Sequence, residues 1–127
     1  MTTVLSRDEI LNKDDIQQEN VSVPEWDGDV IVRGLNGYDR DRYEESMVER
    51  RGKSFSTNLE NIRARLVSLC VVDAEGKRIF ADEDIPALGK KSGAALERVF
   101  EVARKLSGLR NEDIEELAGN SNSGQSD

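Results

Sequence analysis

The side chains that could perform chemistry in this chain are mainly carboxylates, because histidine is absent and Cys70 is the sole cysteine. Without histidine, neither a Ser/His/Asp triad nor a Cys/His pair can be assembled. Zinc sites built from cysteine and histidine ligands are excluded for the same reason. Adjacent acids such as Glu44-Glu45 are frequent, but a chain with 26 acidic residues produces such pairs by chance. A solvated acidic surface is therefore the simpler interpretation.

Two short motifs resemble ligand-binding loops but lack residues that those loops need. The segment 89–92, Gly-Lys-Lys-Ser, is similar to the end of a phosphate-binding loop, yet Asp84 stands where the first glycine is required. The acids of segment 82–84 could open a calcium loop, but Pro86 and Gly93 stand where such a loop needs ligands. We therefore expect no catalytic residue, no cofactor and no metal, which leaves binding as the main class of function.

Composition and charge narrow the class of partner. Hydrophobic residues make up 36% and charged residues 35% of the 127, which predicts a modest core under a charged surface. The net charge of −8 disfavours nucleic acid and anionic membranes, since both need clustered cations. No apolar run approaches the roughly 20 residues of a membrane span, and the N-terminus lacks a signal-peptide pattern. A lone cysteine forms no internal disulfide, so we expect a soluble protein of a reducing cytoplasm.

The densest apolar run, 58–80, predicts the element on which the other segments pack. Thr57 and Glu60 have the spacing of a capping box at a helix start. Apolar residues then recur at helical spacing, whereas Arg63, Arg65 and Ser68 fall between them and are expected to stay exposed. That apolar face comprises Leu59, Ile62, Leu66, Leu69 and Cys70. After Cys70 the pattern indicates a short hairpin that turns at Gly76.

Upstream of this run, two short strands are predicted over 21–26 and 30–35. Asp27-Gly28 between them is a strong hairpin signal, and Pro24 makes the first strand an edge strand because it cannot donate to a ladder. Trp26, the only tryptophan, is more simply a hydrophobic plug over the hairpin than a ligand-stacking residue.

Capping residues predict the remaining helices. Ser6 and Glu9 open a short helix to Leu11, and Asn36 opens a surface helix over 37–51, followed by a loop at 54–56. Three more helices are predicted at the C-terminal side: one from Asp82 to Leu88, a second main helix from Ser92 or Lys91 to Ser107 with Gly108 ending it, and a last short one after Asn111.

These signals predict a single small α+β domain that is mainly helical, with an N-terminal β-hairpin and a second short hairpin after the central helix. We assign residues 1–20 to a short helix and linker, and residues 21–118 to the domain. The polar segment 119–127 is expected to be a disordered tail that links flexibly to downstream partners.

Taken together, several features resemble the tail assembly chaperones of long-tailed bacteriophages, most closely those from actinobacterial and other Gram-positive hosts. They are the Pro24-Glu25-Trp26 hairpin, the Arg33-Gly34-Leu35 exit, the block LVSLCVVDAEGKRIF over 66–80 and the closing LSGL over 106–109. The likeness extends over about residues 8–117 and rests on the order and spacing of these features.

The resemblance implies a non-enzymatic protein of the host bacterial cytoplasm that is absent from the mature virion. Such proteins bind the tape measure protein, keep it soluble and help tail tube protein polymerise around it. The resemblance also implies self-association, and in many members a longer form made by programmed ribosomal frameshift. It carries no catalytic residue and no residue-level binding signature over to this chain, and the acidic charge remains the reason to expect no nucleic acid and no membrane as partners.

The residues that we expect to form client or self-association surfaces lie on the hairpin and on the weak helix that follows it. They are Trp26, Val30, Val32, Leu35, Tyr43 and Met47. Two alternatives stay open at this point. One is a small DNA-associated regulator that uses a basic strip of Arg40, Arg42, Arg50, Arg51 and Lys53. The other is a structural head–tail connector.

Overall fold

The structure is a computed structural model that describes residues 3–52 and 54–110, with the backbone alone described at 49–51 and 54–57. In these residues the α-helices are α1 (Arg7–Leu11), α2 (Gly37–Ser46), α3 (Ile62–Cys70), α4 (Ile85–Leu88) and α5 (Gly93–Leu106). The strands are β1 (Gln18–Val23), β2 (Gly28–Arg33), β3 (Val48–Arg51), β4 (Ser54–Thr57) and β5 (Val71–Val72). Two 3₁₀ turns span Pro24–Trp26 and Asp82–Asp84.

The main sheet is antiparallel with the strand order β1-β2-β5, so the predicted β1–β2 hairpin lies at one edge of it. Its register pairs Val23 with Gly28 and Gln18 with Arg33. The hairpin is confirmed, but its turn is longer than the two residues Asp27-Gly28. It consists of the 3₁₀ turn Pro24–Trp26, which was predicted as strand, and a left-handed Asp27 (φ 55°), while Gly28 already pairs with Val23. β1 begins at Gln18, inside the segment that we expected to be linker.

The core forms where α3 and α5 pack on each other and α5 covers the hairpin. Leu66, Val67 and Cys70 on α3 are fully buried, as are Val99 and Ala103 on α5. The predicted central role of segment 58–80 is confirmed, and so is the interpretation of Cys70 as a buried apolar residue. The domain is α+β, as predicted from the sequence.

Local capping chemistry determines several helix ends as predicted. The Ser6 side chain accepts a hydrogen bond from the Glu9 N–H, Asn36 accepts from the Asp39 N–H at 2.8 Å, and Ser92 accepts from the Ala95 N–H. At the end of α5, Gly108 is left-handed (φ 72°) and the Leu109 N–H donates to the carbonyl of Arg104. This is the predicted Schellman ending.

The prediction of a helix over 37–51 and a loop over 54–56 is wrong. α2 ends at Ser46, and β3 and β4 form an antiparallel hairpin that turns at Gly52 (φ 63°). The helix stops because Met47 enters the core, where it is fully buried. Arg65 then donates to the free carbonyl of Ser46 at 2.7 Å, a contact between distant segments that no local pattern contains.

The predicted start of the central helix is also wrong. Thr57 pairs with Val48 in the β3–β4 hairpin, and α3 begins at Ile62 after a left-handed Asn61 (φ 55°). Ser68, expected to be exposed, is buried, and its hydroxyl donates to the carbonyl of Arg65 at 2.9 Å. The predicted last helix after Asn111 and the tail 119–127 lie outside the described residues.

Candidate partner-binding site

The predicted partner residues in the strands of the β1–β2 hairpin lie on its inner face, which is turned away from the solvent. Val30 and Val32 lie on the inner face, opposite Val21 and Glu19, and this face packs on α5. Val32 is fully buried, Val30 is half-buried against the core, and Leu35 just beyond β2 is half-buried too. Val32 therefore has no surface to offer to a partner in the folded chain.

Tyr43 and Met47 belong to the core of the same chain. Tyr43 is 1% exposed and Met47 is fully buried. The Tyr43 hydroxyl donates a hydrogen bond to the carbonyl of Ile62 at 3.3 Å. Burial raises the pKa of Tyr43 far above its usual value, so the hydroxyl stays neutral. This packing places the two side chains inside the domain rather than on a partner-facing helix surface.

Trp26 is the predicted residue that the structure brings to an open surface. It packs on the core from the 3₁₀ turn after β1 and lines a cavity of about 490 Å³. The apolar lining of this cavity, here called the Trp26 groove, is Trp26, Ile79, Phe80, Ala87 and Leu88. Asp84 and Lys91 supply the charged part of its lining. Ile79 is 52% exposed, so the groove is open to solvent.

Ion pairs hold the walls of the Trp26 groove. Arg98 on α5 contacts both carboxylate oxygens of Glu25, beside Trp26, with Nε 3.0 Å from Oε1. Arg78 donates to the Ser68 carbonyl at 2.7 Å and to Asp82 at 2.8 Å, which anchors the segment between β5 and α4. These hydrogen bonds lower the pKa of Glu25 and the pKa of Asp82. The sequence analysis did not predict the groove. The apolar pair Ile79-Phe80 after the Gly76 turn was the one local signal that pointed to an apolar surface there.

The outer edge of β1 is a second open surface. The Gly34 N–H donates to the carbonyl of Gln17 at 2.9 Å, which makes these two residues a hydrogen-bonded pair of the hairpin. Because such pairs alternate along an antiparallel ladder, the N–H and carbonyl groups of Gln18, Asn20 and Ser22 face away from β2. All three residues are exposed at the edge of the sheet. This edge can accept an extended chain as a further strand.

The cations proposed for DNA contact are partly neutralised by acids. Arg40 is bonded to Glu44 at 3.1 Å, and Arg42 lies 3.8 Å from Asp82 and 5.8 Å from the centre of the Tyr38 ring. The side chains of Arg50 and Arg51, and all of Lys53, lie outside the described residues. The part of the strip that the structure describes therefore does not favour the DNA-binding alternative.

In residues 3–52 and 54–110 no group of three or more acidic or cysteine side chains is arranged to hold a metal ion. Among the helices of this same part of the chain, none has the length and apolar character needed to cross a membrane.

Comparison with known families decides what kind of protein carries these surfaces. A family model described as phage tail assembly chaperone matches residues 6–120, which is most of the chain. The chain belongs to this family. A comparison with curated protein sequences found no match.

A solved structure of another tail assembly chaperone has a similar fold to this chain. The tail assembly chaperone of bacteriophage HK97 is similar to it with a TM-score of 0.54 and 21% sequence identity. The match covers 72% of this chain and 85% of the HK97 chain. At this level of identity the likeness shows the shared fold, and partners have to be argued separately.

Proposed function

We propose that the protein is a non-catalytic chaperone that binds the tape measure protein, keeps it soluble and promotes assembly of tail tube protein around it. It acts in the host bacterial cytoplasm, self-associates and leaves before the virion is complete. The observation that carries this proposal is the family match over residues 6–120, on a chain that offers an open strand edge and an apolar groove.

The client surface is the outer edge of β1. An aggregation-prone protein exposes extended segments before it folds, and such a segment can pair with the outward N–H and carbonyl groups of Gln18, Asn20 and Ser22. Main-chain pairing tolerates many client sequences, which suits a chaperone that coats a long chain. Of the predicted partner residues, Trp26 stands at the end of this edge, while Val30 and Leu35 support the hairpin from within.

Co-expression with the tape measure protein tests the proposal. The client should appear in the soluble fraction with this chain and in the insoluble fraction without it. Asn20→Pro removes one outward N–H without removing a ladder bond to β2, so the folded chain should remain while the soluble client falls several-fold. Asn20→Ala keeps the N–H and serves as the matched control. A client that stays insoluble with the wild-type chain would refute the chaperone role.

Purified phage particles provide the test against a structural connector. A chaperone is expected to be missing from finished particles, whereas a head–tail connector remains in them. Mass spectrometry of gradient-purified particles measures this directly. Stoichiometric recovery of the chain in these particles would favour the connector.

A further inference from the structure

Helix α5 lies over the edge strand β1 and presents a row of side chains along its outer edge. α5 packs on β1 and on the 3₁₀ turn that follows it, where Arg98 bonds to Glu25. Arg98, Val102 and Lys105 succeed one another at spacings of four and three residues, so they form one stripe along the helix. Because Arg98 reaches Glu25 at the end of β1, this stripe, here called the α5 stripe, runs beside the outer edge of β1.

A strand added at the outer edge of β1 would have every second side chain directed toward the α5 stripe. Neighbouring strands lie about 4.8 Å apart, which is less than half the diameter of a helix with its side chains, about 10–12 Å. The added strand therefore stays beneath the flank of α5. Its residues opposite Glu19 and Val21 would point to the inner face, as Val21 does, and those opposite Asn20 would point away from it.

The surface that these inner side chains would meet is apolar at its centre and balanced in charge at its ends. Val21 and Val102 pack on the core but are half-buried, so each keeps apolar surface beside the edge. Arg98 is neutralised by its ion pair at one end. The other end carries one exposed acid, Glu19, and one exposed cation, Lys105. In a chain of net charge −8, this edge therefore has no excess of either sign.

We propose that the client segment bound at this edge is an uncharged strand with apolar residues at alternate positions, whose inner side chains pack on Val21 and Val102. The inference rests on the proposed client role of the β1 edge and adds the chemistry of the segment that it binds. A charged inner side chain would lose its hydration against an apolar surface without gaining a partner. Segments of high β-propensity and low net charge are also the ones that aggregate when they are exposed.

Within the described residues, the N-terminal segment of the same chain does not cover this edge. Ile16, just before β1, lines a cavity together with Val72 and Arg78, which places it toward the β5 side of the sheet. α1, further upstream, buries none of its residues. The outer edge of β1 and the α5 stripe are therefore open to an added strand.

Binding of two labelled model peptides to the purified full chain tests the inference. One peptide alternates valine and threonine, and the other is threonine throughout. Threonine has nearly the shape of valine and the same main-chain groups, so the two peptides differ mainly in the apolar character of alternate side chains. In fluorescence anisotropy the valine–threonine peptide should bind about tenfold more tightly. Equal affinities would show that main-chain pairing alone is recognised and would overturn the inference.

A substitution in the α5 stripe provides a second test. Val102→Lys should weaken binding of the valine–threonine peptide about tenfold, because it replaces the apolar surface by a charged side chain. Lysine is a good helix former and can extend its ammonium group to solvent, so circular dichroism should show unchanged folding. Val48→Lys is the matched control, since Val48 is a 42% exposed valine on β3. Equal binding by these two variants would contradict the role of Val102. If Val102→Lys does not fold, the two peptides on the wild-type chain still decide.

The same assay tests two other occupants of the edge. Displacement of the valine–threonine peptide by a synthetic peptide of residues 111–127 would assign the edge to the C-terminal segment. An affinity that falls as the protein concentration rises would assign it to a second copy. Either result would overturn the inference.

Failure of this inference and failure of the proposed function give different results, because the peptide assay contains no tape measure protein. A wild-type chain that solubilises the client but binds both peptides equally would refute the inference alone. A chain that discriminates the peptides but leaves the client insoluble would refute the chaperone role and retain the strand-binding site.

Discussion

The two ends of the β1–β2 hairpin are built differently. At the end where the chain leaves β2, the Leu35 N–H donates to the buried Ser107 hydroxyl at 2.9 Å, and Cys70 Sγ lies 3.8 Å from the same oxygen. At the opposite end, Trp26 borders the open groove, and the bond between Glu25 and Arg98 lies at the surface. We call these the closed end and the open end.

The difference between the two ends assigns them different roles: the closed end stabilises the fold, and the open end is available for binding. At the closed end the backbone of Gly34 packs directly on the end of α5, because a Cβ on Gly34 would come within 2.8 Å of the Leu106 carbonyl carbon. The open end has about 490 Å³ of unfilled space. Substitutions at the closed end should therefore change the free energy of unfolding, while substitutions at the open end should change association and leave folding largely intact.

Gly34→Ala should have the largest effect on stability. The added methyl group collides with backbone of α5, which cannot move aside like a flexible side chain, so a loss of about 3 kcal/mol or more is expected. The thermal midpoint should fall by on the order of 10 °C, as measured by calorimetry. Gly37→Ala is the matched control, because nothing lies within 4 Å of its added Cβ at the start of α2. Equal effects of the two substitutions would contradict the close approach at Gly34.

Ser107→Ala should have an intermediate effect. It leaves the part-buried N–H of Leu35 without its acceptor, which costs about 1–2 kcal/mol. Urea unfolding followed by tryptophan fluorescence measures the change. Ser22→Ala on the exposed outer face of β1 is the control, expected within about 0.5 kcal/mol of wild type. A neutral Ser107→Ala would show that the closed end does not depend on this hydrogen bond.

Glu25→Gln at the open end should have the smallest effect. The hydrogen bond from Arg98 lowers the pKa of Glu25, so the pair stabilises the fold above the ordinary carboxyl pKa and loses this contribution as pH falls through the lowered value. Melting temperatures of wild type and Glu25→Gln should differ slightly near pH 7 and converge in acid. High salt should reduce the difference, because the Arg98 side chain is 49% exposed and the pair lies at the surface. A difference that grows in acid would contradict this assignment.

Local signals predicted much of the fold because the interactions that they encode involve neighbours along the chain. The caps at Ser6, Asn36 and Ser92, the Asp27 turn and the Gly108 ending each depend on residues within about one turn of chain. The β3–β4 hairpin escaped prediction because its strands are short and polar and follow a helix without a clear stop signal. The end of α2 before Met47 is determined by the burial of Met47 and by Arg65, which approaches from α3.

The candidate site was only partly predictable for the same reason. Trp26 was selected as a candidate because a lone tryptophan beside a turn is conspicuous in a sequence. Val32, Tyr43 and Met47 have the same apolar character, yet packing places them in the core. Ile79 and Leu88 become neighbours of Trp26 only after β5 and α4 have folded beside the hairpin.

By itself, the sequence determined the class of this protein: no histidine, one cysteine, an acidic balance and enough apolar periodicity for one small α+β domain. Its tertiary structure decided which apolar side chains are buried and which remain available. The physical reason is that periodicity marks a residue as apolar, whereas exposure depends on whether distant segments cover it. Here α5 covers the inner face of the hairpin and leaves the Trp26 groove and α1 open.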